Sequence, residues 1–155
     1  KDLEDVLKLV AKNALETEVS KTAKEIMKDK IDTEVYDAYT PYSSDGKTPH
    51  YERTYKLRES VKTEMVGNDH LVLYNDRFDE NEQITSENSF YHKSGRYIPS
   101  VLESGEGYEW GYERDLDEEI GARPFGKKTY EELKDGEFRK ALVRGIEKQG
   151  IKVDE

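Results

Sequence analysis

The chain has 155 residues and a formal net charge of −10, with 39% charged and 34% hydrophobic residues. This acidity argues against a protein that grips phosphates, because lysine and arginine supply that affinity. No apolar run approaches the ~20 residues of a membrane span, and without cysteine there are no disulfides and no thiol nucleophile. We expect a single folded domain, residues 1–155, with a modest core. Because the first residue is Lys1 and not Met, we also expect some residues to be missing ahead of it.

Residues 1–32 are predicted to form one long helix, since neither glycine nor proline interrupts them. Apolar residues recur there at steps of three and four, which is typical of one helix face. A helix of thirty residues spans roughly 45 Å, more than the width of a domain of this size. We therefore expect part of it to contact another molecule; the alternative is a helix that kinks or packs across a sheet of its own chain.

Residues 35–125 are predicted to hold a small antiparallel sheet and loops. Apolar and polar residues alternate from Glu59 to Val66, a turn signal follows at Gly67-Asn68-Asp69, and the segment from His70 to Tyr74 again favours a strand. This pattern is typical of a β-hairpin. Ahead of this hairpin, Tyr51–Leu57 is expected to lead into a strand. A sheet of about four strands would need further strands, for which the candidates are the region around Ile84 and Glu106–Tyr112, the latter either a loop or an irregular edge strand.

Two short motifs follow the predicted hairpin. The first occupies residues 97–105 with the sequence YIPSVLESG, and the second occupies residues 122–125 with the sequence ARPF. Proline is tolerated in a first helical turn and glycine ends helices, so the first motif predicts a brief helix from Ile98 to Gly105. In the second, Pro124 fixes the direction of the chain and Arg123 offers a planar donor group.

Residues 129–149 are predicted to form a closing helix. Thr129 and Glu132 have the spacing of a capping box, and Gly150 is a plausible C-terminal stop. Gly136 and Gly145 each weaken such a helix by roughly 1 kcal/mol relative to alanine. Its predicted buried face consists of Leu133, Phe138, Ala141, Leu142 and Ile146. The fold class is therefore predicted as α+β, with the long N-terminal helix and the closing helix packed on a small antiparallel sheet.

No pattern in the chain predicts catalysis, a metal or a cofactor. The three histidines, His50, His70 and His92, are each isolated from a second ligand at the spacing that zinc sites use. The acidic run between Asp76 and Glu87 lacks the glycine-containing frame of a calcium loop. Serine occurs in no Gly-x-Ser-x-Gly elbow. We expect no enzymatic activity, although a small enzyme with a carboxylate site stays open as the weakest alternative.

Taken in order, these features resemble the tail-completion or head–tail joining (neck) proteins of long-tailed bacteriophages. The matching positions are Tyr97, Pro99, Val101, Gly105, Arg123, Pro124 and Phe125. The run Val35-Tyr36-x-x-Tyr39-x-Pro41, followed by Tyr51-Glu52-Arg53, resembles the variant in phages and prophages of Gram-positive bacteria. The chain departs from the family pattern at two places. Family members often have an aromatic residue at the position of Ser104, and they often have a bulky apolar residue and a proline where this chain has Gly126-Lys127-Lys128.

The resemblance implies a structural subunit that forms a closed ring, commonly of six copies, at the head–tail junction. It implies neighbouring neck and tail proteins as partners, and a location in the virion after synthesis in the bacterial cytoplasm. DNA would pass through the ring as a repelled cargo, and no membrane is involved. The alternatives are a tail-tube terminator of the same particle and an acidic DNA mimic that inhibits a host nuclease.

The suspected structural or interface residues are those of the motifs and the preceding tyrosines: Tyr36, Tyr39, Tyr97, Pro99, Gly105, Arg123, Pro124 and Phe125. Phe125 is favoured as a plug in the sheet–helix core of its own subunit. For Arg123, an internal clamp and a contact between subunits are equally open. If subunits close around a channel, some of the acidic segments Asp76–Glu87 and Glu113–Glu119 are expected to line or rim it, so that assembly strengthens as moderate salt screens their repulsion.

Overall fold

A computed structural model describes residues 2–38, 54–77, 97–105 and 121–154. Its N-terminal part is one continuous helical rod. Helix α1 (Leu3–Ala14) passes through a π-helical turn (Leu15–Val19) into α2 (Ser20–Ile31), which a second π-helical turn extends to Tyr36 (Asp32–Tyr36). The long helix predicted for residues 1–32 is confirmed, and it continues one turn further than predicted.

A row of buried apolar residues runs along the second half of the rod. Its members recur every four positions, at Val19, Ala23, Met27, Ile31 and Val35, and Ile26 is buried beside them. In a regular α-helix each step of four residues overshoots one turn by about 40°, so the row drifts around the rod within α2. The π-helical turn after Ile31 takes up additional residues per turn and so offsets the drift between Ile31 and Val35.

A β-hairpin packs on the rod. After a four-residue helix, α3 (Lys56–Glu59), strand β1 (Val61–Val66) pairs antiparallel with β2 (His70–Asn75). The hairpin is confirmed. The described end of the segment Tyr51–Leu57 leads into β1 through α3, and this helix turns Leu57 into the core. The candidate strands near Ile84 and at Glu106–Tyr112 lie outside the described residues. Among the residues that the structure describes, the sheet has two strands.

The closing part contains α4 (Ile98–Ser104), α5 (Phe125–Glu132), a π-helical turn (Leu133–Glu137) and α6 (Phe138–Glu147). The predicted capping box at Thr129 is wrong, because the helix begins one turn earlier, directly after Pro124. Thr129 is only 1% exposed inside this helix, and its hydroxyl donates to the carbonyl of Phe125 at 2.7 Å. Gly150 follows the end of α6 with a φ of 87°, as the sequence predicts for a stop.

Gly136 divides the closing helix into two differently oriented parts. Its φ of 127° is not helical, so the face of α6 does not continue that of α5. This explains why the prediction of a buried Phe138 is wrong: its side chain is 43% exposed. Ala141 of the same predicted face is fully buried.

The core contains two clusters of buried apolar residues, and the hairpin contributes side chains to both. The first is formed by Met27, Ile31, Val35, Leu57, Val61, Leu102 and Phe125. The second is formed by Leu15, Val19 and Ala141, with Met65, Leu71 and Leu142 packed against it. The rod, the hairpin and the closing helix each contribute to this core, which agrees with the predicted α+β fold.

Helix α6 lies very close to α1. A Cβ added at Gly145 would lie 2.7 Å from the Cβ of Ala14, so only glycine fits this contact. The side-chain amide of Gln149 donates to the carbonyl of Val10 at 2.9 Å, and Lys148 pairs with Glu18 at 2.6 Å. These contacts tie the end of the closing helix to the second half of α1 and to the π-helical turn that follows it.

Candidate functional site

The two sequence motifs meet in space and form one joint. The N–H of Arg123 donates to the carbonyl of Leu102 in α4 at 2.7 Å. Gly105, which ends α4 with a φ of 72°, approaches so closely that an added Cβ would lie 2.6 Å from the backbone nitrogen of Ala122. Glycine is thus required at this position both for its dihedral angle and for the space. We call residues 97–105 and 121–126 the motif joint.

A carboxylate connects the two halves of the motif joint. The side chain of Glu103 on α4 accepts a hydrogen bond from the N–H of Gly126 in the first turn of α5. The first N–H groups of a helix have no partner within it, so a carboxylate there is favourable. This contact orients α5 on α4.

Phe125 anchors the motif joint to the core. Its side chain is 2% exposed and belongs to the first cluster, with Ile31 of the rod and Leu102 of α4. Burial of such a side chain contributes about 1.5–3 kcal/mol. Pro124 immediately before it sets where α5 begins. Phe125 therefore fills the core of its own chain, which is the role that the sequence favoured.

Tyr97 joins the first motif to the hairpin. Its hydroxyl donates to the carbonyl of Asn75 at 2.7 Å, and the N–H of Ile98 donates to the carbonyl of Arg77 at 3.1 Å. Partial burial raises the pKa of Tyr97, and the negative charges of Asp76 and Glu103 raise it further. The hydroxyl therefore stays protonated and available as a donor near neutral pH. Pro99, in the first turn of α4, is buried.

Asn75 is the residue of this region that the sequence reasoning missed. It is 3% exposed, its side-chain N–H donates to the carbonyl of Leu57 at 2.6 Å, and its side-chain oxygen accepts from the N–H of Arg77 at 3.0 Å. A signal existed: asparagine is unfavourable in strands, and here it ends a run of four apolar or aromatic residues. Asn75 fixes the chain on both sides of the hairpin.

Tyr36 lies on the rod and packs against the first cluster, the same cluster that contains Phe125. Its ring meets the ring of Tyr55 edge to face, with centroids 5.1 Å apart, and its hydroxyl accepts from the N–H of Arg58 at 3.3 Å. Tyr39 lies outside the described residues. Of the eight suspected residues, the structure thus assigns seven to one region, and a role of these residues between subunits stays a prediction.

The charges around this region are mostly paired. Lys30 contacts Glu132 at 2.5 Å, and that hydrogen bond raises the pKa of the lysine. Lys62 pairs with Asp76, which raises the pKa of Lys62 in the same way. Such exposed pairs contribute little stability each. Within the described ranges, no three metal-ligating side chains come together.

A shallow open depression of about 670 Å³ lies beside Gly136 and is lined by charged residues: Glu131, Glu132, Lys134, Asp135 and Glu137. The pKa of Glu137 is lowered, mainly by a hydrogen bond from Lys140. All the described residues that line it are charged, so the depression has the character of a solvated surface. No described helix is both long and apolar enough to cross a membrane.

Comparison with known proteins assigns a family. The model of the YomN family matches residues 1–148. The chain belongs to the YomN family. A relative from Bacillus subtilis (strain 168), the SPbeta prophage-derived uncharacterized protein YomN, is 29% identical over 164 aligned positions that cover 99% of both chains. No solved structure matches the chain. The chain is thus similar to a prophage-derived protein over its whole length, which agrees with the phage origin that the motifs suggest.

Proposed function

We propose that this protein is a structural subunit of a phage or phage-tail-like particle, and that its copies form a ring, commonly of six, at the head–tail junction. The proposal rests on the motif joint. The residues that carry the resemblance to neck proteins lie together, and their contacts fix the course of the main chain. Gly105 and Arg123 join the two motifs, and Phe125 anchors them in the core. The residues at this site stabilise the fold of the chain, which suits a structural role better than a catalytic one.

Exposed apolar side chains on two separate surfaces support self-association. Val66 and Val72 lie on the outer face of the hairpin, 55% and 41% exposed. Tyr130 and Phe138 lie on the closing helix, 63% and 43% exposed. A closed ring needs two different surfaces on each subunit, because its contacts run head to tail. We assign the ring contact to these two surfaces.

The net charge fits a channel for DNA. A lumen that repels phosphates lets DNA slide, whereas a basic lumen would capture it in a salt-sensitive way. The segments expected to line the channel, Asp76–Glu87 and Glu113–Glu119, lie almost entirely outside the described residues. Repulsion among them opposes ring closure, so moderate salt should strengthen the ring.

A DNA-mimic inhibitor is less well supported. Mimicry requires carboxylates spaced along one exposed face, free to replace phosphates. In the described part, several carboxylates are instead neutralised by lysines: Glu34 by Lys128 at 2.6 Å and Glu132 by Lys30 at 2.5 Å. A tail-tube terminator of the same particle shares the ring architecture and is distinguished by its position in the particle.

The ring is tested by sedimentation of the full chain from low to moderate salt. We expect a ring species whose fraction increases with salt, and we expect Val66→Glu to reduce it. Asn68→Glu is the matched control, since it adds the same charge in the exposed turn of the same hairpin. Rings that dissociate as salt rises, or equal losses in both variants, would contradict the proposed contact.

The position in the particle is tested by electron microscopy of labelled particles from cells that carry the parent phage or prophage. Label at the head–tail junction supports the neck assignment, and label at the end of an isolated tail tube supports the terminator. Two results together would refute the proposal and favour the DNA-mimic function. They are the absence of the protein from purified particles and stoichiometric inhibition of a host nuclease by the purified protein.

A further inference from the structure

Gly136 separates the closing helix into two parts that are attached to different places on the rod. Helix α5 is tied to the C-terminal end of the rod, where Lys128 pairs with Glu34 at 2.6 Å and Glu132 pairs with Lys30 at 2.5 Å. Helix α6 lies instead against α1 and the first π-helical turn. Each part therefore has its own set of contacts, and these sets do not depend on each other.

The two parts are buried to very different extents. Helix α5 contributes the large side chain of Phe125, which is 2% exposed, to the first cluster. Of the residues described in α6, the buried ones are Ala141 and Gly145, and Leu142 is partly buried against the second cluster. Burial stabilises roughly in proportion to the apolar area removed from water. Helix α6 is therefore held much less firmly than α5.

The polar contacts of α6 with the rod lie at the surface. Lys148, directly after the helix, pairs with Glu18 at 2.6 Å, and the guanidinium group of Arg144 donates to the hydroxyl of Thr22 at 3.2 Å. Contacts between exposed side chains contribute little stability each, because water solvates the separated groups almost as well. These contacts can therefore break while the first cluster stays intact.

The backbone of Gly136 is suited to act as a hinge. Its φ of 127° is a conformation that glycine adopts far more easily than other residues. A Cβ added there would meet no described atom within 4 Å, so the joint lies in open space. Regular helix lies on both sides of it. A change of the dihedral angles at this one residue would swing α6 as a rigid unit.

We propose that α6 is a latch, which swings away from α1 about Gly136 as one unit while the rod, the hairpin and α5 stay folded. The open state uncovers the sides of Leu15 and Val19 that Ala141 covers in the closed state. On closing, Gly145 lets α6 settle directly against Ala14. The motion takes place within one chain, so the proposal goes beyond the ring and does not depend on it.

Native-state hydrogen exchange of the full chain measures the opening of α6. We expect the amides of residues 142–147 to share one opening equilibrium, with an open fraction about 100-fold larger than that of the amides in α2 and α5. Ordinary fraying predicts instead a protection that declines step by step toward the end of the helix. Such a stepwise decline, or equal opening of α5 and α6, would overturn the proposal.

Two core variants distinguish the latch from unfolding of the whole chain. Ile31→Val weakens the first cluster, which stays folded when the latch opens. We therefore expect exchange in α2 and α5 to become about fivefold faster, and exchange in α6 to stay unchanged. Gly145→Val weakens the closed latch itself and should make exchange in α6 about thirtyfold faster. If Ile31→Val accelerates α6 as much as α5, α6 opens only when the chain unfolds, and the latch is refuted.

A pair of glycine variants tests the hinge. Alanine at position 136 strains the closed state, and the strain is relieved when the latch opens, so we expect Gly136→Ala to raise the open fraction of α6 about tenfold. Gly150→Ala is the matched control. Its φ of 87° is also positive, but this residue follows α6 and keeps its conformation in both states. The control should leave the open fraction of α6 unchanged. Equal effects of the two substitutions, or no effect of Gly136→Ala, would show that α6 does not swing about Gly136.

Discussion

The close contact between α6 and α1 predicts a large effect from one small substitution. In Gly145→Val, the new Cβ would lie 2.7 Å from the Cβ of Ala14 and 2.8 Å from its Cα. Carbon atoms in contact normally lie about 3.5–4.0 Å apart, so the helices must separate by roughly 1 Å. Overpacking of this kind costs about 1–3 kcal/mol, and the better helix propensity of valine offsets only a few tenths of that.

The expected net loss of about 2 kcal/mol lowers the melting temperature by roughly 4–8 °C for a chain of this size. Thermal unfolding followed by circular dichroism measures it. The matched control is Gly121→Val, because a Cβ at Gly121 meets nothing within 4 Å, and we expect it to unfold within about 1 °C of the parent. Equal melting temperatures for the two variants would refute the close approach of α1 and α6.

Three further predictions concern the core and the surface. Phe125→Ala empties a core position and should cost about 3–5 kcal/mol in chemical denaturation. Asn75→Ala leaves the buried carbonyl of Leu57 without its 2.6 Å donor and should cost about 1–3 kcal/mol, whereas Asn75→Asp should cost at least as much at neutral pH. The hydrogen bond from Lys148 lowers the pKa of Glu18, so this pair stabilises the fold above the ordinary carboxyl pKa and is lost as the pH falls through the lowered one. Lys148→Gln should raise the Glu18 pKa in a carboxyl NMR titration.

The elements that local patterns determine were predictable from the sequence. The rod follows from the unbroken run of helix formers, and the hairpin follows from alternation around the turn at Gly67, whose φ of 71° suits glycine. The brief helix after Tyr97 follows from proline at its start and Gly105 at its end. Each of these depends on neighbours in sequence, and the pattern predicts them without knowledge of the packing.

The features that depend on contacts between distant segments were not predictable. Thr129 has the residue type and spacing of a cap, but Pro124 and the burial of Phe125 start the helix one turn earlier. Phe138 fits the apolar face only while the helix is continuous, and the non-helical φ of Gly136 interrupts it. The meeting of the two motifs also depends on tertiary structure, since the spacing between Gly105 and Ala122 in sequence does not reveal their contact.

The π-helical turn at Leu15–Val19 has a consequence for insertions and deletions. A π-helical turn is equivalent to an α-helix with one inserted residue, and one residue corresponds to about 100° of rotation. The π-helical turn winds less per residue, so its five residues turn the chain by about as much as four residues of a regular α-helix. A deletion such as that of exposed Glu16 would therefore let the rod continue as a regular α-helix while α1 keeps nearly the same direction, and Ala14 would stay opposite Gly145. This turn thus tolerates the loss of one residue, whereas the same deletion within α2 would rotate α1 by about 100° relative to the rest of the chain.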